Sequence, residues 1–493
     1  MTNFDYSQVS ELLDSLPTGL WLEGKNVAAT GGATFEVLDP ATEEVIANVA
    51  DGTSADWMRA LELADAAQKE WAGFAPRTRS IILTDIFNAI NERKDDFARV
   101  MTLEMGKPYA EALGEVAYGA EYMRWFAEEA VRIPGRYSQS PAGNGSITVS
   151  HTPVGPVLAI TPWNFPLAMA TRKIAPAFAA GCPVVVKPAA ETPLTMLLLG
   201  EVIAEVFARH EVPAGVFSIV TTTQSSALSS ELMADPRLRK VTFTGSTGVG
   251  KILVRQSADN LQRTSMELGG NAPFLVHEDA NLDLVLDCAM QAKIRNGGEA
   301  CIAANRFIVH EAVAEEFTQR LTEKMAAFQT GHGLSEGTAL GPLISAKQRD
   351  AVADLVAKAL EQGAVATTGG SKPEGKGFFY PATVLAQLPD DAEILRQEIF
   401  GPVATVTTYS DLTEGVAKAN DTEFGLAAYA FTENFHTAEY LAHALESGMV
   451  GINRAVISDA AAPFGGIKES GFGREGGAEG IEEYISVRYI AKP

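Results

Sequence analysis

Residues 154–187 read VGPVLAITPWNFPLAMATRKIAPAFAAGCPVVVK. Two apolar runs, Val154–Thr161 and Val184–Lys187, flank a stretch over 167–180 that reads as a helix. Strands without polar alternation are buried on both faces, which is the mark of a parallel sheet covered by helices. The pattern continues onward. Strands predicted at Phe217–Val220 and Val241–Thr244 alternate with helices at 193–209, 224–234 and 246–257. The stretch 153–187 is the most apolar of the chain, but Pro156, Pro162, Asn164, Arg172 and Lys173 interrupt it, so it cannot span a bilayer.

On the amino-terminal side, apolar residues at three- and four-residue spacings predict helices over 55–73, 77–103 and 108–131, so the first 135 residues read as mainly helical. On the carboxyl side a second α/β region begins near 272. Its strands are expected at Ala272–Val276, Arg306–Val309 and Val403–Thr408, its helices at 281–293, 311–327 and 346–362. Segment 136–150 is turn-rich and leads into a polar alternation at Ser146–His151, as a projecting hairpin would. Ile485–Ala491 again reads as a strand.

At 493 residues the chain exceeds one core, and roughly 100–200 residues per domain predicts two to four units. The 62 acidic against 39 basic residues give a net charge of −23, which repels nucleic acid and anionic membrane surfaces alike. An anionic ligand would need a local basic pocket. Cys182, Cys288 and Cys301 are too few for a disulfide framework, and no C-x-x-C points to a metal site. The opening Met1-Thr-Asn-Phe-Asp-Tyr has no basic region before an apolar run, so no signal peptide is expected and a reducing cytoplasm is the simplest location.

Five segments carry candidate chemistry. Cys301 lies among small polar residues in Arg295-Asn-Gly-Gly-Glu-Ala-Cys-Ile. A lone buried cysteine is usually a small hydrophobe, which suits Cys182 and Cys288. Gly297 and Gly298 instead bring backbone close to something beside Cys301, and Arg295 could favour its thiolate. Glu267, between a strand and Gly269-Gly270, is either a structural acceptor or a general base with a raised pKa. Gly245-Ser-Thr-Gly-Val-Gly-Lys251 joins a strand to a helix, where backbone N–H groups can meet phosphate. It nearly matches a P-loop, but Ile252 stands where Ser or Thr would bind Mg²⁺, and a plain tight turn reads equally well. Asn164, in Thr161-Pro-Trp-Asn-Phe-Pro166, presents an amide at a rigid strand end, and Lys187 lies at the carboxyl edge where parallel sheets bind ligands.

Together these segments resemble the aldehyde dehydrogenase superfamily over roughly residues 20–490. The resemblance rests on Pro162-Trp-Asn-Phe-Pro166, Lys187-Pro-Ala189, Phe243-Thr-Gly-Ser246, Glu267-Leu-Gly-Gly270, the Cys301 segment and Glu398-Ile-Phe-Gly-Pro402. It implies that Cys301 attacks an aldehyde, that Asn164 and the Cys301 N–H hold the oxyanion, and that Glu267 activates the water that hydrolyses the thioester. It also implies that Thr161, Pro162, Trp163, Lys187, Ala190, Gly245, Ser246, Leu268, Glu398 and Phe400 bind the dinucleotide. The presence of Glu267 argues against the coenzyme-A-acylating branch. The implied fold is α/β: a Rossmann-like cofactor domain (18–135 and 152–267), an α/β catalytic domain (268–470) and a small β oligomerisation arm (136–151 and 471–493). A homodimer or homotetramer follows by analogy.

Within the superfamily the resemblance is strongest to succinate-semialdehyde dehydrogenases, through Arg172, Arg295 and Ser458. In that branch the matching residues hold the substrate's far carboxylate, which two guanidinium groups can do bidentately. The competing reading pairs either arginine with Glu299 or Asp459. Ala303 replaces the second cysteine of some relatives, which excludes a disulfide switch in this loop. Many NAD-specific relatives carry an acid where this chain has Ala190, which points to NADP; NAD stays open because Glu191 is adjacent. The expected substrate is succinate semialdehyde. The alternatives are glutarate semialdehyde, a general aliphatic aldehyde, or a non-catalytic relative.

Overall fold

The computed structural model describes residues 4–493; Met1–Asn3, which begin the segment read as no signal peptide, lie outside the described residues. The larger sheet runs, in spatial order, Gly471–Phe472, Arg263–Glu267, Lys240–Thr244, Val157–Ile160, Val184–Lys187, Phe217–Ile219, Leu20–Leu22 and Lys25–Val27. The strands from Arg263–Glu267 to Phe217–Ile219 are mutually parallel.

Neighbouring residues of the central strands enter different cores. Val157, Ala159, Val184 and Val186 pack with Ile82, Ala120, Ile174 and Leu198 from helices Pro76–Glu92, Tyr109–Glu129, Ala168–Ala180 and Pro193–Arg209. Leu158, Ile160 and Val185 pack with Trp57 and Leu61 of helix Ser54–Gly73 and Leu253 of helix Thr247–Ser257. Both faces are therefore apolar, and polar alternation is absent for that reason. Chain order along the sheet reverses between Val157–Ile160 and Lys240–Thr244, and this switch point opens a crevice at the strands' carboxyl ends.

The second sheet runs Val365–Thr368, Thr383–Ala386, Val403–Tyr409, Ala304–His310, Ala272–Val276, Ala427–Phe431 and Met449–Ile452, parallel except for the first strand. It too is sandwiched. Phe274, Phe307 and Val309 meet Val285 and Phe317 on one face, and Leu275 and Ile308 meet Val416 and Leu441 on the other. A third sheet pairs Ile485–Lys492 antiparallel with Ser146–Pro153, which pairs with Arg136–Gln139; Ile485 lies opposite Pro153 and Lys492 opposite Ser146. The fold is α/β, with a Rossmann-like parallel sheet beside a second α/β layer.

Several expectations need correction. The first 135 residues are mainly helical as expected, but four unexpected strands, from Leu20–Leu22 to Val45–Ala50, precede the first long helix. The helix expected over 77–103 is two helices, Pro76–Glu92 and Lys94–Met105, joined at Arg93. The strand expected at Val154–Thr161 shortens to Val157–Ile160, because Gly155 takes φ +123° and Pro156 follows. Gly471–Phe472, expected in the arm, pairs antiparallel with Arg263–Glu267 in the larger sheet, and only Ile485–Lys492 of that segment joins the three-stranded sheet. Among the described residues no helix is long and apolar enough to cross a membrane.

Candidate active site

The loops that leave Val157–Ile160, Lys240–Thr244 and Arg263–Glu267 meet the loop carrying Cys301 across the switch-point crevice. Between them lies a cavity of about 600 Å³ whose walls include Pro162, Trp163, Asn164, Gly245, Ser246, Leu268, Cys301, Glu398 and Phe400. Thr161, Lys187 and Ala190 do not line it; the Thr161 N–H donates to the Lys187 carbonyl (3.1 Å). The buried Lys187 ammonium has no hydrogen-bond partner among the described residues, and burial lowers its pKa against the opposing charge of Glu191. Glu191 itself is exposed, and Ala190 is half-buried.

Ser246 precedes helix Thr247–Ser257 in extended conformation without capping it through its side chain, so the first N–H groups remain available to an anion. The glycines of this turn serve packing as well. A Cβ on Gly245 would strike the Phe243 ring, and one on Gly250 would strike Leu268. Glu398 accepts from the Gly270 N–H (3.0 Å), and burial lifts its pKa to about 7 against the pull of Lys293. Trp163 meets Phe400 edge-on with ring centroids 5.3 Å apart. A nucleotide with a phosphate bridge and ribose hydroxyls fits this set: helix N–H groups, a buried ammonium and a carboxylate. Among the described residues no group of three or more His, Cys, Asp or Glu is arranged to hold a metal ion.

Cys301 is half-buried at the edge of this cavity. Burial pushes its thiol up to about 12, and Arg172 is the cation that opposes this, while Glu398, Glu267 and Glu475 add to it. The expectation that Arg295 favours the thiolate is therefore corrected: the counter-charge is Arg172, and burial outweighs it. Glu267 is buried, and neither carboxylate oxygen has a hydrogen-bond partner within the protein. Burial and Glu475 raise its pKa well above the usual carboxylate range, against Arg172 and Lys173.

The Asn164 Nδ2 donates to the Glu299 carbonyl (3.0 Å), and its Oδ1 accepts from the Phe165 N–H (3.1 Å). One amide hydrogen is thus committed, which fixes the direction of the other. The Asn164 carbonyl accepts from Lys107 Nζ (2.8 Å) and Asn296 Nδ2 (3.0 Å). Lys107 pairs with Glu115, which also accepts the Leu167 and Ala168 N–H groups (2.9 and 3.1 Å).

On the other side of the Cys301 loop lies a second cavity of about 450 Å³, lined by Ala300, Ile302 and Ala303 of that loop and by Glu111, Phe165, Arg295, Tyr429 and Val456. Arg295 has no acidic partner within ion-pair distance among the described residues; its guanidinium lies 5.1 Å from the Phe165 ring centre and 5.8 Å from that of Tyr118. Ser458 is half-buried two residues beyond Val456, outside the cavity walls.

Arg172 departs from expectation. It is fully buried, lines neither cavity, and places Nε 2.7 Å from Glu475 while stacking 3.8 Å over the Phe464 ring centre. Its acidic partner is neither Glu299 nor Asp459. The same carboxylate pairs with Lys173, which donates to the Thr244 hydroxyl (2.6 Å). Two adjacent cations inside an apolar helix require a buried acid, and that signal at Arg172-Lys173 could have raised the question of a partner. Nothing in the sequence could have named Glu475, nor singled out Lys107, Glu111 and Glu115 as the supports of the Asn164 and Cys301 loops.

Comparison with known proteins agrees with this geometry. The aldehyde dehydrogenase family matches residues 27–490. A succinate-semialdehyde dehydrogenase of Paenarthrobacter nicotinovorans is 54% identical over 446 residues, covering 90% of this chain and 98% of that protein. A glutarate-semialdehyde dehydrogenase of Pseudomonas aeruginosa is 43% identical, covering 95% and 96%. The crystal structure of an Escherichia coli NADP-dependent enzyme superposes with a TM-score of 0.94 at 41% identity, covering 98% and 99%. A match that spans nearly the whole chain, together with a cysteine, an amide and a buried carboxylate gathered at a nucleotide-sized crevice, makes this protein a member of the aldehyde dehydrogenase family.

Proposed function

We propose that the protein oxidises succinate semialdehyde to succinate with NADP⁺. The observation that carries this reading is the unpaired Arg295 guanidinium in the cavity behind Cys301, in a chain 54% identical to a succinate-semialdehyde dehydrogenase. A guanidinium without a protein anion, held between aromatic rings, suits a substrate carboxylate. Ser458 lies near enough in the chain to assist, whereas Arg172 is committed to Glu475.

The aldehyde enters with its carboxylate on Arg295 and its carbonyl carbon beside Cys301. The thiol gives its proton to Glu267, and the sulfur forms the C–S bond of a thiohemiacetal. The oxyanion is held by the free N–H of the Asn164 amide and by the Cys301 backbone N–H. Lys187, Glu398, Ser246 and the neighbouring helix end would hold the dinucleotide, with Thr161, Pro162, Trp163, Gly245, Leu268 and Phe400 around it. When bound, the dinucleotide supplies the acceptor for the two electrons that leave the substrate. Once Glu267 has released the thiol proton to solvent, its carboxylate takes a proton from water, whose oxygen attacks the resulting thioester; the C–S bond breaks and Cys301 leaves as thiolate, which is reprotonated. Ala190 offers no acid against a 2′-phosphate, and Glu191 is exposed, which favours NADP; NAD is the second cofactor.

Glutarate semialdehyde is the second substrate reading, favoured by the relative that acts on it and by a cavity of about 450 Å³. The protein acts as a homodimer or homotetramer through the three-stranded sheet, which exposes Tyr137, Val487 and Tyr489 at 66, 70 and 63%. Its place is the cytoplasm, where its three free thiols stay reduced.

The test compares kcat/KM for succinate semialdehyde and butyraldehyde, each with NADP⁺ and NAD⁺. A preference of roughly a hundredfold or more, about 2.7 kcal/mol, is expected for the acid with NADP⁺. Equal values for the two aldehydes would overturn the carboxylate reading, and a preference for NAD⁺ would overturn the cofactor.

A further inference from the structure

Arg295 and Cys301 are joined by a backbone that turns through three left-handed residues in succession: Asn296 (φ +57°), Gly297 (+64°) and Gly298 (+77°). Glycine accepts that conformation freely, but asparagine must be held in it. Its amide donates to the Asn164 and Glu299 carbonyls (3.0 Å each), and its backbone is held by Glu111, whose Oε2 accepts the Asn296 N–H at 2.6 Å. Glu111 sits in the first turn of helix Tyr109–Glu129, where a glutamate ordinarily folds back to the backbone N–H at the helix start. Here that position is Pro108, which has no N–H, so the carboxylate reaches outward across the interface. Lys107 and Glu115 brace the Asn164 side of the site, and Glu111 alone of the three contacts the residue that follows Arg295. It also lines the cavity that holds Arg295, and burial raises its pKa against the Asn296 N–H, Lys107 and Arg295.

We propose that Glu111 is a positioning residue that sets the separation between the Arg295 guanidinium and the Cys301 sulfur, and thereby selects the chain length of the ω-carboxy aldehyde. The inference rests on Arg295 as the carboxylate anchor. With the carboxylate fixed at one end and the reacting carbon at the other, a shift of the anchor by a fraction of a C–C bond changes which chain bridges them. A fitted pocket discriminates one methylene by roughly 10- to 200-fold, and loss of that discrimination is the signature of a loosened anchor.

The experiment measures kcat/KM for succinate semialdehyde, glutarate semialdehyde and butyraldehyde on the wild type and on Glu111→Ala, Glu111→Asp and Glu111→Gln. The wild type is expected to favour one acid over the other and both over butyraldehyde. Glu111→Ala should narrow the C4-to-C5 ratio by about tenfold with a smaller loss on butyraldehyde. Glu111→Asp, which keeps the charge but shortens the reach, should shift the same ratio and covers the case in which the alanine variant does not fold. Glu111→Gln, whose amide oxygen can still accept from Asn296, should restore part of the ratio. Equal losses on all three substrates, or a wild-type ratio in Glu111→Asp, would overturn the positioning role while leaving the anchor intact. A wild type indifferent to the carboxylate would overturn the anchor itself, and the inference with it.

Discussion

The Arg172 guanidinium lies 2.7 Å from the Glu475 carboxylate, with 1% and 3% of their side chains exposed. Lys173 takes the other oxygen, so one buried acid balances two buried cations beside Glu267. A residue that would otherwise serve as a substrate anchor is thus part of the wall behind the base. Breaking a buried pair by removing one partner costs about 3–5 kcal/mol, because the remaining charge is uncompensated. Glu475→Gln should lower the unfolding free energy by that order, read as a fall in the denaturant midpoint. An unchanged midpoint would mean that the protein compensates the two cations by another route. The substitution also removes an anion that raises the Glu267 pKa, so the base should titrate lower in the folded variant.

Cys301→Ala should reduce aldehyde oxidation by more than about a thousandfold, since no second thiol borders the large cavity. Cys182 and Cys288 are buried in the cores, one against the larger sheet and one under the smaller. Binding of the dinucleotide, measured by its fluorescence, should persist in this variant. Substantial residual turnover would remove Cys301 from the nucleophile's role.

Glu267→Gln removes the base from both steps, so attack by the thiol and hydrolysis of the thioester should both slow. Reduced cofactor should appear without a rapid burst, and steady turnover should fall at least about a hundredfold. Because burial and Glu475 raise the Glu267 pKa, the carboxyl is protonated at low pH and becomes an effective base only as pH rises through that raised value. Wild-type deacylation should therefore increase with pH along a limb that Glu267→Gln lacks. A rapid burst of one equivalent would mean that another route removes the thiol proton and that Glu267 acts only in hydrolysis.

Much of this fold is legible in the chain. Val184–Lys187 matches the expected strand because its three valines lie between Pro183 and Pro188, Ala272–Val276 matches through Phe274-Leu-Val276 despite Pro273, and Pro193 starts its helix where a proline is best tolerated. Ala427–Phe431 was illegible for the converse reason: alanine is poor in strands, and Ala-Ala-Tyr-Ala-Phe carries no period that distinguishes strand from helix. The site divides the same way. Cys301, Glu267 and Asn164 were legible because glycines and prolines mark the loops that hold them. The commitment of Arg172 was not, since Glu475 lies 302 residues from Lys173 and meets it only through tertiary packing.

Arg295→Ala should lower kcat/KM for succinate semialdehyde by about 10- to 100-fold, mostly through KM, as expected when a charged hydrogen bond worth about 1.5–3 kcal/mol is lost. Butyraldehyde, with no charge to place, should lose less than about threefold. Arg172→Lys should leave the ratio of the two aldehydes unchanged if Glu475 is its partner, because it keeps the buried charge and does not line the cavity. A fall in that ratio would return Arg172 to the substrate.

With burial pushing the Cys301 thiol up to about 12, only about one site in ten thousand holds a thiolate at pH 8. The thiol must then lose its proton to a base during attack, not before it, and Glu267, itself raised and without a hydrogen-bond partner, is the carboxylate placed nearby to receive it. Alkylation of the free enzyme by neutral iodoacetamide reads the thiolate fraction directly. Its rate should climb about tenfold per pH unit from 7 to 10 with no plateau, because each unit raises the thiolate population tenfold until the pKa is reached. The modified residue should be Cys301 alone, since Cys182 and Cys288 are buried and their thiols are also raised. A plateau below pH 9 would mean that the field of Arg172 prevails over burial, that the thiolate is preformed, and that Glu267 is needed only for hydrolysis.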